Sequence, residues 1–296
     1  MKHRNIARVK EGLTAYAMLI PTILGMIFYS VGATVGAMIL SVTDYSIRWP
    51  PNFVGLKNFV DFFSNRLFGK IILNTFLSAL MNIVPCVFFA LLLALLVNQK
   101  IPGVKFYRMV YFWPVVASMA AVSLLWGFLL SPQFGLVNYL LNRLGIDGPA
   151  WLGSTKWALP SISVIFVWKL VGYYMTMLLV GMQNIPASLY ESAILDGAGP
   201  FQRTLHITLP MLSPTLFMVI IMACIASFQV FDPILVLGLN GGPAHATKTL
   251  SYYIYQSAFQ NLKMGYASAA SVVLFAIVGA LSMLQFRLQS KWVFYQ

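Results

Sequence analysis

Long runs of apolar residues, separated by short polar segments, dominate the chain. Six runs reach the roughly twenty residues that a helix needs to cross a bilayer core. They lack the alternation of apolar and polar residues that a transmembrane β-strand shows. The pattern predicts an all-α integral membrane protein with six spans, one between Glu11 and Asp44 and the others at 71–97, 109–130, 157–182, 211–237 and 264–286.

The ends of the chain differ from the spans in charge. A basic segment at 1–12 precedes a single six-helix domain at 13–286, and a tail at 287–296 follows it. An even number of spans places both termini on one side of the membrane. Basic residues concentrate in the N-terminal segment and in the short loop "NQKIPGVKFYR", and short basic loops face the cytoplasm. We therefore expect both termini in the cytoplasm.

Composition supports a membrane protein. The 296 residues are 59% hydrophobic and 9% charged, whereas a soluble domain has about a quarter charged residues. The net charge of +12 would suggest nucleic acid in a soluble protein, but here it favours anionic lipid headgroups. Cys86 and Cys224 lie inside apolar runs, so we expect them to be reduced packing residues.

One polar stretch, "YESAILDGAGPFQRTLHITLP" at 190–210, interrupts the apolar pattern between the fourth and fifth spans. Pro186 and Ser188 can each start a helix, and Ser188 with Glu191 has the spacing of a capping box. A helix end is predicted at Asp196–Gly197 and a second helix start at Pro200. We expect a helix–turn–helix on the cytoplasmic face at about 184–210. We expect its exposed residues to be small, so that another backbone can approach closely: Ala187, Ser192, Ala193, Ala198 and Gly199.

Two interpretations of this stretch remain open from the residues alone. The first is a docking element for another protein. The second is purely local: Glu191 caps its own helix, and Asp196 favours a turn.

The same stretch resembles the EAA loop of membrane subunits of ATP-binding-cassette (ABC) importers, in which Glu-Ala-Ala precedes Asp-Gly and then Ile-x-Leu-Pro. Ser192 replaces the usual second-position alanine, and Thr204 stands where an aromatic residue is common. The segments "LIPTILGMIFY", "FVGLKNF" and "NGGPAHATKTLSYYIYQSAF" also resemble the carbohydrate branch of this family, close to the first permease of the maltose transporter. The positions that match the loop pattern are Glu191, Ala193, Asp196, Gly197, Ala198, Ile207, Leu209 and Pro210.

The resemblance implies a role for the loop and a set of partners. The loop would be a coupling helix in a groove of a separate ATPase subunit, with Glu191 making polar contacts and Gly197 setting the angle between the two helices. The partners would be a second permease, two ATPase subunits and an extracytoplasmic binding protein, in a prokaryotic plasma membrane. The docking residues would be Glu191, Ser192, Ala193, Asp196, Gly197 and Ala198.

The chain itself is expected to be no enzyme. It contains no G-x-x-x-x-G-K-[ST] phosphate loop, so ATP and Mg²⁺ are expected on the ATPase partner. We expect neither a cofactor nor a metal ion on this chain.

Candidate substrate residues lie in the third to fifth spans. A sugar presents C–H faces to aromatic rings and hydroxyl groups to polar side chains. Lys169 lies within a span, where it could face a cavity, snorkel or pair with a neighbouring chain. Asp232 precedes Pro233 and could act on substrate or form a turn, and a depth mismatch of about 10 Å disfavours its pairing with Lys169. The candidates are Trp113, Trp168, Lys169, Tyr173, Tyr174, Ser227, Gln229 and Asp232.

The leading hypothesis is a permease subunit that imports a sugar, an oligosaccharide in particular. An alternative is the same machine with glycerol-3-phosphate or a polyol as cargo, although Lys169 is the one cation predicted within a span. A secondary transporter should show internal repeats and several acids embedded in the membrane. Neither feature is evident, since Asp232 is the one acid within a predicted span. An intramembrane enzyme should place a nucleophile and a base within the spans, but His3, His206 and His245 fall outside them.

Overall fold

The computed structural model describes residues 16–46, 50–99 and 102–294, so the predicted basic segment at 1–12 lies outside the described residues. The described residues form helices. They contain one isolated β-bridge, between Thr43 and Phe53, and no β-strand of more than one residue. The predicted all-α class is confirmed.

The helices follow one another with short connections. Within the part of the chain that the structure describes, three stretches are π-helical: Met26–Gly32 within the first helix, Thr204–Thr208 and Gln256–Gln260. The helices are α1 Tyr16–Ser41, α2 Lys57–Phe63, α3 Phe68–Val97, α4 Val104–Val116, α5 Met119–Leu129, α6 Leu136–Arg143, α7 Ala158–Gln183, α8 Ala187–Leu195, α9 Pro200–Arg203, α10 Leu209–Phe228, α11 Asp232–Val236, α12 Leu250–Tyr255 and α13 Met264–Gln289.

Five helical segments of the described chain are long and apolar enough to cross a membrane: α1, α3, α7, the run Pro200–Val236 and α13. A sixth span results if α4 and α5 are counted together. This agrees with the six predicted spans.

The prediction that the third span at 109–130 is one continuous helix is wrong, because the chain breaks into two helices there. α4 ends at Val116 and α5 begins at Met119, and the two helices are bent by 100°. Pro114 weakens the end of α4 because it lacks an N–H group. Ser118 then caps α5, since its Oγ accepts a hydrogen bond from the Ala121 N–H group at 3.2 Å.

The described chain divides into two compact units, of which the first comprises 16–46, 50–65 and 254–273. Here the Asn58 amide group donates to the carbonyl oxygens of Ser41 and Thr43, each at 2.8 Å, and so satisfies the end of α1. The Asp44 carboxylate accepts from the Asn52 backbone N–H at 2.7 Å and from its side-chain amide at 3.0 Å. These bonds lower the pKa of Asp44 below its usual value.

The second unit comprises 66–99, 102–253 and 274–294, and its core lies where α3, α7 and α10 meet. Cys86 and Cys224 are free and buried, as predicted. Small side chains on α3 allow its neighbours to approach closely, as is common for helices within membranes. The buried residues of this core include Cys86, Ala90, Ala94, Tyr174, Met175, Leu178, Leu212, Val219 and Ala223.

The ends of α3 mark the two faces of this unit. Leu95, Asn98 and Gln99, at the C-terminal end, line a cavity together with Tyr190 and Arg203 of the segment 184–210. α3 has 30 residues. At 1.5 Å per residue its first turn is about 45 Å away, on the opposite face.

Candidate functional site

The segment 184–210 contains the two short helices that the sequence predicts, and the first begins at Pro186, one of the two predicted start residues. Its N-cap residue is Pro186, with φ −57° and ψ 130°, and no side-chain cap is present. The predicted capping box of Ser188 and Glu191 is therefore wrong, because the fixed φ of proline starts the helix earlier and leaves Ser188 inside it. The Glu191 side chain is exposed and bonds to no other described residue.

The turn after α8 is the predicted one. The N–H of Gly197 donates to the Ile194 carbonyl oxygen at 3.0 Å, and the N–H of Ala198 donates to the Ala193 carbonyl oxygen at 2.8 Å. This pair of bonds is a Schellman motif, which requires a left-handed residue directly after the helix. Gly197 supplies it with φ +78°. The predicted helix end at Asp196–Gly197 is confirmed.

The second helix begins at Pro200, as predicted, and passes without a break into α10. The Gly199 N–H donates to Oε1 of Gln202 at 2.9 Å, which satisfies the start of the helix. The π turn at Thr204–Thr208 ends two residues before Pro210. Proline cannot donate the regular helical hydrogen bond and its ring crowds the preceding turn, so a widened turn at this place accommodates it.

One side-chain bond joins the two helices of the segment. The hydroxyl groups of Tyr190 in α8 and Thr208 in the π turn lie 3.0 Å apart. Thr208 is buried, and its hydroxyl also lies 3.4 Å from the Arg203 carbonyl oxygen. The relative position of α8 and α10 is therefore held by side chains as well as by the connecting turn.

Large apolar side chains are exposed around the turn between α8 and α9. The exposed fractions of Leu195 and Phe201 are 88% and 78%, and that of Ile194 is 55%. We call these three residues the apolar tip. The polar side chains of Glu191 and Asp196 are exposed next to it. Exposed apolar residues with a polar rim are typical of a protein-binding surface.

Sequence reasoning missed the apolar tip because it concentrated on small residues. Of those, Ala187 and Ser192 are exposed, whereas Ala193, Ala198 and Gly199 are half-buried, and a backbone hydrogen bond of the turn joins Ala198 to Ala193. The sequence did contain a signal for the apolar tip. Leu195 and Phe201 flank the turn sequence Asp-Gly-Ala-Gly-Pro, and side chains next to such a turn cannot reach a core. Beside the turn lies a cavity of about 420 Å³, lined by Ala193, Asp196, Gly197, Ala198, Gln202, Arg203, His206 and Ile207.

Lys169 in α7 binds the broken end of α4. Its Nζ donates to the carbonyl oxygens of Ala117 at 2.6 Å, Val115 at 3.2 Å and Pro114 at 3.3 Å. These carbonyls have no helical partner because the chain turns away after Val116. A cation at a helix C-terminus is also favoured by the helix dipole. The ammonium group is thus engaged by the backbone of its own chain.

Asp232 lies near the end of the fifth span, since the run Pro200–Val236 is long and apolar enough to cross a membrane, in agreement with the predicted span at 211–237. Within this run α10 ends at Phe228, and Asp232 is the first residue of the short helix α11. An acid in the first turn is favoured by the dipole of that helix. Since Lys169 bonds to carbonyl oxygens, the disfavoured pair with Asp232 is not formed.

The other substrate candidates have different environments. Trp168 meets Trp126 edge-to-face, with ring centroids 5.7 Å apart. Tyr174 is buried in the core, whereas Trp113 is 72% exposed. Tyr173, Gln229 and Asp232 are exposed, and Ser227 is buried with no partner for its Oγ among the described residues.

An apolar groove of about 750 Å³ lies between α3, α4 and α7. Among the predicted substrate residues, Trp168 lines it. Sequence reasoning did not identify its other walls, because they come from three helices whose packing the sequence does not specify. They include Met81, Pro85, Phe89, Tyr111, Pro114 and Val164.

These features define a multi-pass helical membrane protein with a structured loop between its fourth and fifth spans. Residues 59–295 match the model of a protein family described as the inner membrane component of binding-protein-dependent transport systems. The chain belongs to this family.

Curated relatives agree with this result. The probable ABC transporter permease protein YurN of Bacillus subtilis is 37% identical over 278 residues, covering 92% of this chain and 94% of YurN. The sulfoquinovosyl glycerol transport system permease protein SmoG of Agrobacterium fabrum is 36% identical, covering 77% and 74%. The sn-glycerol-3-phosphate transport system permease protein UgpA of Brucella abortus is 36% identical, covering 82% and 83%.

A solved structure has the same fold. It is the crystal structure of a bacterial alginate ABC transporter in complex with alginate pentasaccharide-bound periplasmic protein. One of its chains superposes with a TM-score of 0.84 at 25% identity, over 96% of each chain. The resemblance to sugar ABC importer permeases is confirmed.

Proposed function

We propose that this chain is the membrane-spanning permease subunit of an ABC importer that carries a sugar, in particular an oligosaccharide, across a prokaryotic plasma membrane. It works with a second permease subunit, two cytoplasmic ATPase subunits and an extracytoplasmic binding protein that delivers the cargo. ATP and Mg²⁺ belong to the ATPase subunits. This chain catalyses no reaction and binds no cofactor.

The apolar tip is the observation that carries this proposal. Leu195 and Phe201 are large apolar side chains held out at a rigid turn. A groove on an ATPase subunit would remove both from water, and Glu191 and Asp196 would make polar contacts at its rim. Gly197 would fix the angle between α8 and α9 in this contact. The segment and both termini then lie in the cytoplasm.

The same segment offers a path for movement into the membrane. α9, the π turn and α10 follow one another without a loop. The hydrogen bond between Tyr190 and Thr208 connects α8 to this continuous helix. A displacement of the tip by the ATPase subunits therefore moves the fifth span.

The relatives support a saccharide as cargo, since SmoG serves sulfoquinovosyl glycerol and the structural neighbour serves alginate. Trp113, Tyr173 and Gln229 would supply aromatic faces and an amide group for a sugar. Glycerol-3-phosphate is the second candidate, favoured by the relative UgpA. The engagement of Lys169 by three carbonyl oxygens weakens that candidate, because this ammonium group is not free to bind phosphate.

Purification from native membranes tests the proposal. The tagged chain is extracted in mild detergent, and its partners are identified by mass spectrometry, with an untagged strain as control. We expect a second permease and an ATPase subunit. The binding protein recovered with them is then screened by calorimetry against oligosaccharides and glycerol-3-phosphate. Recovery of the chain alone, or with copies of itself, would contradict the importer function.

A further inference from the structure

A cluster of basic side chains lies at the end of α3 that is remote from the segment 184–210. Lys70 is exposed in the first turn of α3, and Asn74 lies one turn further on the same helix face. The Asn74 amide group donates to the carbonyl oxygens of His245 at 2.8 Å and Lys248 at 3.2 Å. Asn74 thereby fixes the loop between α11 and α12 against α3, with Lys70 next to it.

The backbone of this loop is held in unfavourable conformations. Asn240, Ala244 and His245 have φ values of +47°, +48° and +61°. Residues other than glycine adopt this region at a cost, and they keep it where the surrounding structure enforces it, often at functional sites. Thr75 adds to this constraint, because its Oγ1 accepts from the Leu250 N–H at 2.8 Å.

Lys248 is a buried lysine within this loop, with an exposed fraction of 6%. Its stem lies over Gly241, where a Cβ atom would stand 2.7 Å from Cε of Lys248, so glycine makes room for it. Its ammonium group forms no hydrogen bond or ion pair with any other described residue. Burial lowers the pKa of Lys248. The stem of Lys248 is buried, but its Nζ atom is not among the fully buried side-chain atoms, so an anion supplied from outside can reach this ammonium group and would stabilise the loop.

The cations of the cluster are Lys70 and Lys248, and both act on the neighbouring imidazole of His245. Burial lowers the pKa of His245, and the charges of Lys248 and Lys70 lower it further. The sequence provides no acid nearby in the chain: none lies between Asp61 and Asp147, and none follows Asp232. The positive charge of this patch is therefore not neutralised by neighbouring residues in the sequence.

We propose that Lys70, His245 and Lys248 form a docking site for acidic side chains of the extracytoplasmic binding protein, an inference that rests on the importer function proposed above. The patch lies about 45 Å along α3 from the segment assigned to the ATPase subunits, on the face where a binding protein must arrive. Its fixed backbone suits a folded partner with carboxylates at set positions, whereas a mobile lipid headgroup needs no such preorganisation.

Carbodiimide cross-linking of the wild-type complex tests this contact directly. The reagent activates a carboxylate, the Lys70 nitrogen attacks the activated carbon, and the reagent leaves as its urea with loss of a proton from the nitrogen, which leaves an amide bond. We expect a peptide that contains Lys70 to be joined to an Asp or Glu of the binding protein. The Lys70→Gln variant should lose this product.

Neutralising variants measure the contribution of the patch to association. Lys70→Gln and Lys248→Met remove the charges, and methionine keeps the length of the Lys248 stem. We expect the association rate constant of the binding protein with the purified complex in nanodiscs to fall about tenfold at low salt, with a weaker dependence on NaCl. The matched control is Lys156→Gln, an exposed cation just before α7 that should have little effect.

The outcomes separate this inference from the function on which it rests. If the wild-type chain recovers no binding protein or ATPase subunit, the importer function itself fails. If the wild-type complex assembles but both variants bind the binding protein at the wild-type rate, and Lys70 cross-links elsewhere, the docking site is wrong. If the variants lose only bound anionic lipid, the patch binds headgroups and the proposal is likewise overturned.

Discussion

The phenol group of Tyr190 and the hydroxyl group of Thr208 lie 3.0 Å apart, although 18 residues separate them in the chain. Tyr190 belongs to the helix that carries most of the apolar tip, and Thr208 belongs to the turn from which the fifth span begins. Thr208 is 4% exposed, so water competes little for this bond. The two helices therefore respond together to force at the tip.

Removal of this bond should weaken coupling more than assembly. Tyr190→Phe keeps the ring and loses the hydroxyl group, at a cost of about 1 kcal/mol. We expect normal recovery of the ATPase subunits but about fivefold less transport per ATP hydrolysed, measured in proteoliposomes. Tyr107→Phe, in α4, is the control. Thr208→Val should give the same defect, and the double variant should be no worse than either single one. Additive losses would show that the two hydroxyl groups do not act as a pair.

The turn at Gly197 should tolerate asparagine better than alanine. Its φ of +78° costs a residue with a Cβ atom about 1 kcal/mol, and asparagine adopts this region more easily than alanine. We expect ATP hydrolysis stimulated by the loaded binding protein to decrease in the order Gly197, Gly197→Asn, Gly197→Ala. Binding of the ATPase subunits should change less. Normal stimulated hydrolysis in Gly197→Ala would contradict a role for this turn in coupling.

Charge at the apolar tip should prevent ATPase docking. Leu195→Asp places a carboxylate where we propose that an apolar contact forms, and Glu191→Lys reverses the charge of its rim. We expect both variants to insert normally and to lose ATPase subunits on co-purification, Leu195→Asp by at least about tenfold. Leu144→Asp is a matched control, because Leu144 is 75% exposed but lies outside this segment. Full recovery of the ATPase subunits with Leu195→Asp would show that the apolar tip is not part of the interface.

Loss of the Lys169 charge should loosen the broken third span. Lys169→Met leaves the carbonyl oxygens of Pro114, Val115 and Ala117 without their shared donor, and each buried unsatisfied group costs about 1–3 kcal/mol. We expect a lower thermal unfolding temperature in detergent and faster labelling of a cysteine placed at Ser118. Lys169→Arg should retain most of the stability, and Lys156→Met serves as control. An unchanged labelling rate in Lys169→Met would show that the carbonyls do not depend on this cation.

Hydropathy and local turn signals made part of this structure predictable. The spans follow from the length of the apolar runs, and the end of α8 follows from Gly197, because both depend on neighbouring residues. The helix start at Pro186 was also predictable, whereas the capping box of Ser188 and Glu191 was misjudged because Pro186 caps the helix and leaves Ser188 inside it. The break near Ala117 was missed because membrane helices often tolerate a proline such as Pro114.

Long-range contacts account for the rest. The acceptors of Lys169 lie 52 to 55 residues earlier in the chain, so no local pattern reveals them. The same holds for Asn74 and the carbonyl groups of His245 and Lys248, which are more than 170 residues away. Such pairs require knowledge of how the helices pack.

The uninterrupted path from Pro200 to Phe228 gives the fifth span the mechanics of a lever. Its 29 residues correspond to about 43 Å of helix. A tilt of about 5° around its midpoint moves each end by about 2 Å, in opposite directions. A displacement of about 2 Å at Phe201 thus produces an opposite displacement of the same size at Phe228, across the membrane. The internal hydrogen bonds of the helix need not change.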